Sequence, residues 1–141
     1  MDATNNFVLD GSITLTWGFS DEDDENAQAI LDEMPGLQAF VPGLWPLEVA
    51  NALRVGERRG RTTPADVAHF LAMLGTFPIT VDDWTVARAW VETMHLARTH
   101  RLSAYDASYL EFAMRLGLPL ATLDAKLKLA AKSVGVTLFV V

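Results

Sequence analysis

Phe7-Val8-Leu9-Asp10-Gly11-Ser12 sets three apolar residues directly before an acid, a glycine and a serine. Three adjacent apolar residues leave no polar face. The run therefore suits a strand buried on both sides, and Asp10 stands where that strand ends. Ser12 is placed to cap a short helix carrying Ile13, Leu15 and Trp17. Working outward, further strands are expected over 38–41, 77–81, 118–123 and 136–141. Ala27, Ile30, Leu31 and Met34 fall at helical spacing behind the acidic stretch 21–25, and Pro35-Gly36 stops that helix. Pro46 suits a first helical position, with Leu47, Ala50 and Leu53 following and Gly60 as the stop. Thr63 caps a helix with Pro64 in its first turn. Asp83 opens another, with Val86, Ala87, Trp90, Val91 and Met94 on one face. Ser103 and Asp124 cap the last two helices, which close at Gly117 and Gly135. Strands that alternate with helices and are apolar throughout predict the α/β class. The expected architecture is a short parallel sheet covered by helices on both faces, in one domain over residues 1–141.

Half of the 141 residues are apolar, enough for a substantial core, and the net charge is −7. That balance argues against a general nucleic-acid binder, which carries basic surface. The basic residues nevertheless gather: Arg54, Arg58, Arg59 and Arg61; Arg98, His100 and Arg101; Lys126, Lys128 and Lys132. Together they leave room for a local phosphate-binding rim. The absence of cysteine excludes disulfides and thiolate zinc sites and suits the cytoplasm. Asp2, with no basic lead into an apolar stretch, points away from a signal peptide, and no apolar run approaches the length of a membrane span.

Four acids sit in short framed motifs: Asp10, Glu48 in Pro46-Leu47-Glu48-Val49-Ala50-Asn51, Asp106 in Ser103-Ala104-Tyr105-Asp106-Ala107, and Asp124 in Ala121-Thr122-Leu123-Asp124. Ligands of such sheets bind at the carboxyl edge of the strands. Asp10 and Asp124 follow strands directly, and Glu48 lies in the first turn of a helix that follows one. Asp106 opens a helix that follows another helix, so spacing alone places it less firmly. Each acid also has an ordinary structural role: Asp106 in a capping motif with Ser103, Glu48 on its helix dipole, Asp124 as an N-cap. Those roles alone leave the repulsion among carboxylates at one edge unexplained. Mg²⁺ or Mn²⁺ with oxygen ligands would resolve it. Ser12, Thr122 and Asn51 are placed to orient a carboxylate or a water from behind the acids.

The set Leu9-Asp10-Gly11-Ser12, Glu48-Val49-Ala50-Asn51-Ala52-Leu53, Tyr105-Asp106-Ala107-Ser108-Tyr109 and Thr122-Leu123-Asp124 resembles the PIN-domain nucleases. Among them it looks most like the VapC-type toxins of bacterial and archaeal toxin–antitoxin pairs. The resemblance runs over essentially the whole chain and implies a three-layer α/β/α domain. It implies that Asp10, Glu48, Asp106 and Asp124 form a catalytic Mg²⁺ site that Mn²⁺ can also fill. The implied activity is endoribonucleolytic: hydrolysis of RNA phosphodiesters by a metal-activated water, without a covalent intermediate. The implied partners are a second copy in a homodimer and a VapB-type antitoxin that often inserts a basic side chain into the acidic site. Arg58, Arg59 and Arg101 are the candidates for RNA phosphate contact. Two positions depart from the family pattern: Gly11 stands where alanine is common, and Thr16 where a basic residue often is.

Two other readings stay open at this point. One is a phosphatase with Asp10 as nucleophile, although Ser12 occupies the place where a second acid would donate a proton. The other is a catalytically silent module of the same fold that only binds partners. Several signals carry little. Asp21, Asp23 and Glu25 mimic the start of a calcium loop, but Asn26 replaces its glycine. His69, His95 and His100 lack metal-ligand spacing, and Ser12 has neither a histidine partner nor a nucleophile elbow. Trp17, Trp45, Trp84 and Trp90 read as core or dimer contacts, an exposed pair among them being an interface signal.

Overall fold

Phe7, Val8 and Leu9 have no exposed surface, as a central parallel strand requires. The computed structural model describes residues 5–141, so the reading around Asp2 lies outside the described residues. The buried run forms β1 (Asn6–Leu9), which pairs in parallel with β2 (Gln38–Val41) on one side and β4 (Leu120–Ala121) on the other. Beyond β2 lies β3 (Ile79–Val81), also parallel, giving the order β3-β2-β1-β4. The helices are α1 (Gly11–Gly18), α2 (Glu25–Glu33), α3 (Trp45–Arg58), α4 (Pro64–Leu74), α5 (Thr85–Arg88), α6 (Met94–His100), α7 (Ala104–Leu116) and α8 (Ala125–Ser133). α7 lies against β1 and β4 with α6 and α8 beside it, while α1 packs on α2 and α3. The result is the expected three-layer α/β/α arrangement.

Local chemistry places the helix starts. Thr63 Oγ1 accepts the Asp66 N–H at 3.2 Å, Ser103 Oγ accepts that of Asp106 at 3.0 Å, and Asp124 Oδ1 accepts that of Lys126 at 2.8 Å. Each cap was legible as a serine, threonine or aspartate ahead of an apolar period.

Several expectations need correction. Ser12 is no cap: Asp10 holds the N-cap position of α1, and Ser12 is already helical. Pro46 is the second residue of α3, after Trp45. β3 is shorter than 77–81 because Pro78 has no N–H to pair, and β4 is shorter than 118–123. The stretch 136–141 is not a strand: only Leu138 bridges, to Leu120, because the two-residue β4 offers so short a ladder. Its apolar character is used otherwise, with Phe139 stacked on Phe7 at 4.2 Å between ring centroids. The helix expected from Asp83 starts at Thr85 and is interrupted by a π-helical segment, Ala89–Thr93, before α6. The apolar face read from the sequence looks to solvent: Val86 is 85%, Trp90 89% and Val91 72% exposed. The four tryptophans accordingly split. Trp45 is buried and Trp17 partly so, each donating an indole N–H, whereas Trp84 and Trp90 form an exposed pair.

Candidate active site

Asp10 leaves the end of β1 and is buried. Its Oδ2 accepts two hydroxyl protons, from Ser12 at 2.6 Å and from Thr122 at 2.7 Å. Both hydroxyls are themselves held. Ser12 Oγ accepts the Leu123 N–H at 2.9 Å, and Thr122 Oγ1 accepts the Asp124 N–H at 3.0 Å. The turn after β4 is thereby pinned to the turn after β1, and the Asp10 rotamer is set from both sides. Ser12 and Thr122 thus both hydrogen-bond to the Asp10 carboxylate. Asn51 does not: it is exposed and joins no side-chain hydrogen bond among the described residues.

Glu48 enters from the first turn of α3, and Tyr109 Oη donates to its Oε1 at 2.5 Å. A Cβ on residue 11 would sit 2.8 Å from that same oxygen, so Gly11 is what lets the carboxylate come so close to the backbone. The glycine at this position therefore has a steric cause in the structure.

Asp106, in the first turn of α7, reaches the same edge as the other acids. Their electrostatics show that the carboxylates face one another. Burial pushes the Asp10 carboxyl above its ordinary value, against the hydroxyl bonds of Ser12 and Thr122. Burial also raises Glu48; the Tyr109 bond opposes this, and the charges of Asp10 and Asp106 add to it. Asp106 is raised by burial first and then by Asp10 and Asp124, the latter also through direct carboxyl–carboxyl approach. None of the four is in an ion pair with lysine or arginine among the described residues.

The contrast with Asp82 is informative. It too follows a strand at this edge, but Arg115 binds it at 2.7 Å and also takes Glu111 at 2.9 Å, with Arg88 donating to the same Glu111 oxygen at 3.1 Å. That network ties the end of β3 and α5 to α7 and neutralises its own acids. The four motif acids have no such partner. The donor set, oxygen only and net negative, fits Mg²⁺ or Mn²⁺. Among the described residues no three of these side chains stand close enough to cage one ion. An ion bound here would be held by one or two carboxylates, with waters completing its shell.

Residues 7–133 match the family described as PIN domain, a span that includes all four acids. The chain belongs to the PIN-domain family. It is 28% identical over 120 residues to Ribonuclease VapC3 of Pyrobaculum aerophilum, covering 85% of this chain and 90% of that protein. The fold is similar to that of PAE2754 from Pyrobaculum aerophilum, with TM-score 0.67, 23% identity, and coverage of 90% of this chain and 80% of that one. It is also similar to VapC20 of Mycobacterium tuberculosis, a Sarcin-Ricin loop cleaving toxin, with TM-score 0.63, 15% identity, and coverage of 88% and 94%. At these identities the structural likeness is one of fold.

The residue of this PIN domain that sequence reading passed over is Tyr109. It was visible three positions after Asp106, on the same helical face. Nothing in the sequence pairs it with Glu48, 61 residues away. Tyr109→Phe keeps the ring in its buried slot and removes only the donor. It is expected to weaken Mn²⁺ binding about 10-fold, the lower end for residues that orient a ligand, as read by calorimetric titration.

Arg58 and Arg59 are exposed at the far end of α3. Ten residues of helix put them about 15 Å along the axis from Glu48. Arg101 is exposed immediately before α7.

Proposed function

We propose that this PIN domain is a metal-dependent endoribonuclease, the toxin of a type II toxin–antitoxin pair. One observation carries the reading: four carboxylates at one sheet edge repel one another, while the neighbouring acid Asp82 is neutralised by arginine. When bound, Mg²⁺ or Mn²⁺ supplies the positive charge that activates a water and stabilises the leaving oxygen of a phosphodiester. The chain's own part is positional. Asp10 is oriented by Ser12 and Thr122, and Glu48 by Tyr109. Asp106 and Asp124 approach from two further helix starts, so that acids from four separate segments bracket one scissile phosphate. Family membership and the likeness to a named ribonuclease support the substrate class. An antitoxin that inserts a basic side chain fits carboxylates that lack one of their own. The phosphatase reading loses ground because the Ser12 hydroxyl is committed to Asp10 and no acid stands in its place. Total RNA incubated with the protein and Mn²⁺ is expected to be cut, and chelation to stop it. Intact RNA in both Mn²⁺ and Mg²⁺ would defeat the reading.

A homodimer belongs to the same proposal. Trp84, Val86, Trp90 and Val91 form an exposed apolar face around α5, and Leu47 at the start of α3 is 77% exposed. Apolar patches of this kind on a water-exposed surface mark interaction sites. A second copy, meeting like with like, covers such a face symmetrically. Trp90→Lys is expected to turn a dimer into a monomer in sedimentation velocity, without loss of helical signal.

A further inference from the structure

On a chain of net charge −7, RNA must approach over whatever basic surface the acids leave unneutralised. Arg54, Arg61, Arg88 and Arg115 are all paired with carboxylates. Arg58, Arg59, Arg98, Arg101, Lys126, Lys128 and Lys132 are in no ion pair among the described residues. Of these, Arg101 and Lys126 line a common cavity, a trough of about 450 Å³ between the end of α6 and the face of α8. His100, Leu129, Ala130 and Ser133 complete its walls. Two basic clusters far apart in sequence are thus brought to one groove.

Arg101 occupies an unusual position. It ends α6 in the left-handed region, φ 56° and ψ 44°, and is the one non-glycine residue at positive φ among the described residues. The other positive-φ positions are glycines: Gly60, Gly117 and Gly135. Glycine is the low-cost residue in this conformation, so an arginine there carries strain that its side chain must justify. The side chain makes no ion pair among the described residues.

The groove residues are close in sequence to two of the acids. Lys126 is two residues after Asp124, and Arg101 is two residues before Ser103, the cap of the helix that bears Asp106. Leu129 is 68% exposed and, with the His100 ring, offers a surface on which a base can rest. We infer that the α6–α8 groove, through Arg101 and Lys126, seats a single-stranded RNA segment flanking the scissile phosphate. This rests on the ribonuclease reading and adds to it a direction: the strand leaves the carboxylates toward α8, not along α3 to Arg58 and Arg59.

The test is equilibrium binding of a labelled single-stranded RNA, with Mn²⁺ present, to full-length protein made cleavage-deficient by Asp10→Asn. Affinity is followed from 50 to 200 mM salt. Arg101→Gly and Lys126→Ala added to this parent are each expected to weaken binding about 5- to 10-fold at the lowest salt. Each should reduce the slope of log K against log salt by about 0.7, the loss of one phosphate contact. Lys132→Ala, on α8 but outside the groove lining, should leave both quantities unchanged. Arg101→Gly should also raise the thermal midpoint, since it relieves the left-handed arginine while costing RNA. A purely structural arginine would show no loss of RNA affinity. Parent-like affinity and slope in both groove variants overturns the inference while the ribonuclease reading stands. Loss in those variants of poly-glutamate binding but not of RNA binding reassigns the groove to an acidic peptide and also overturns it. A parent that binds no RNA, from a wild type that cuts none, defeats the ribonuclease reading and the groove together.

Discussion

Asp10→Asn is expected to abolish RNA cleavage, by at least about 1,000-fold or roughly 4 kcal/mol of barrier, while raising the thermal midpoint of the metal-free protein. The opposite signs have one cause. Asp10 is buried, and its carboxyl is pushed up by that burial, so the charged form is held at a cost to the fold. The amide of asparagine still accepts from Ser12 and Thr122 but carries no charge. It relieves the metal-free protein and would deprive a bound cation of the Asp10 carboxylate. A residue present only for packing would lose stability on substitution and leave turnover near normal. Cleavage assays in metal-defined buffer and unfolding scans in chelator read the two effects separately. Retained cleavage, or a lower metal-free midpoint, would falsify this account of Asp10.

The second large effect is the pH dependence of stability and its reversal by Mn²⁺. Asp10, Glu48 and Asp106 have folded-state values above their ordinary 3.8, 4.5 and 3.8. Over the window above those ordinary values the native state binds more protons than the unfolded chain, so stability falls as pH rises through the raised values. Asp21 and Asp82 are shifted the other way. Arg61 is the main partner of Asp21, and for Asp82 the bonds from Arg115 and Thr85 outweigh burial. Their stabilisation is present above 3.8 and is lost as pH falls through their lowered values, a separate window. The metal-free protein is therefore expected to lose stability as pH rises from about 4.5 toward neutrality. Mn²⁺ at about 100 times its Kd should restore roughly 2.7 kcal/mol, a rise of about 10 °C in Tm for a chain of this size. The rise should vanish in Asp10→Asn combined with Asp106→Asn. A metal-free protein whose stability climbs steadily from pH 5 to 7, with no response to Mn²⁺, contradicts the idea of uncompensated carboxylates.

Much of the layout was legible because it is written in local chemistry. An apolar triplet before Asp10 requires a strand with no wet face, and Thr63, Ser103 and Asp124 announce helix starts through a single side-chain acceptor. The failures occur where a neighbour decides. The 136–141 stretch has the composition of a strand, but β4 presents too few residues to pair with it, and Phe139 spends its surface on Phe7. The apolar face beginning at Val86 was legible as one face, but periodicity does not say whether a face meets the core or solvent, and here it meets solvent. A π-helical segment also interrupts that helix, and no residue from Ala89 to Thr93 signals it. Tyr109 was in plain view, but its meaning depends on Glu48 arriving from another helix.

The sequence by itself determined which groups this protein has to work with: strand ends and helix starts tipped with Asp10, Glu48, Asp106 and Asp124, because period and capping act within a few residues. Only the tertiary structure decided which of its acids are neutralised and which are not. Arg115 reaches Asp82 and Glu111 but no motif carboxylate, and Arg101 and Lys126 come to share a groove. Charge pairing depends on distances across the fold, and those are set by packing.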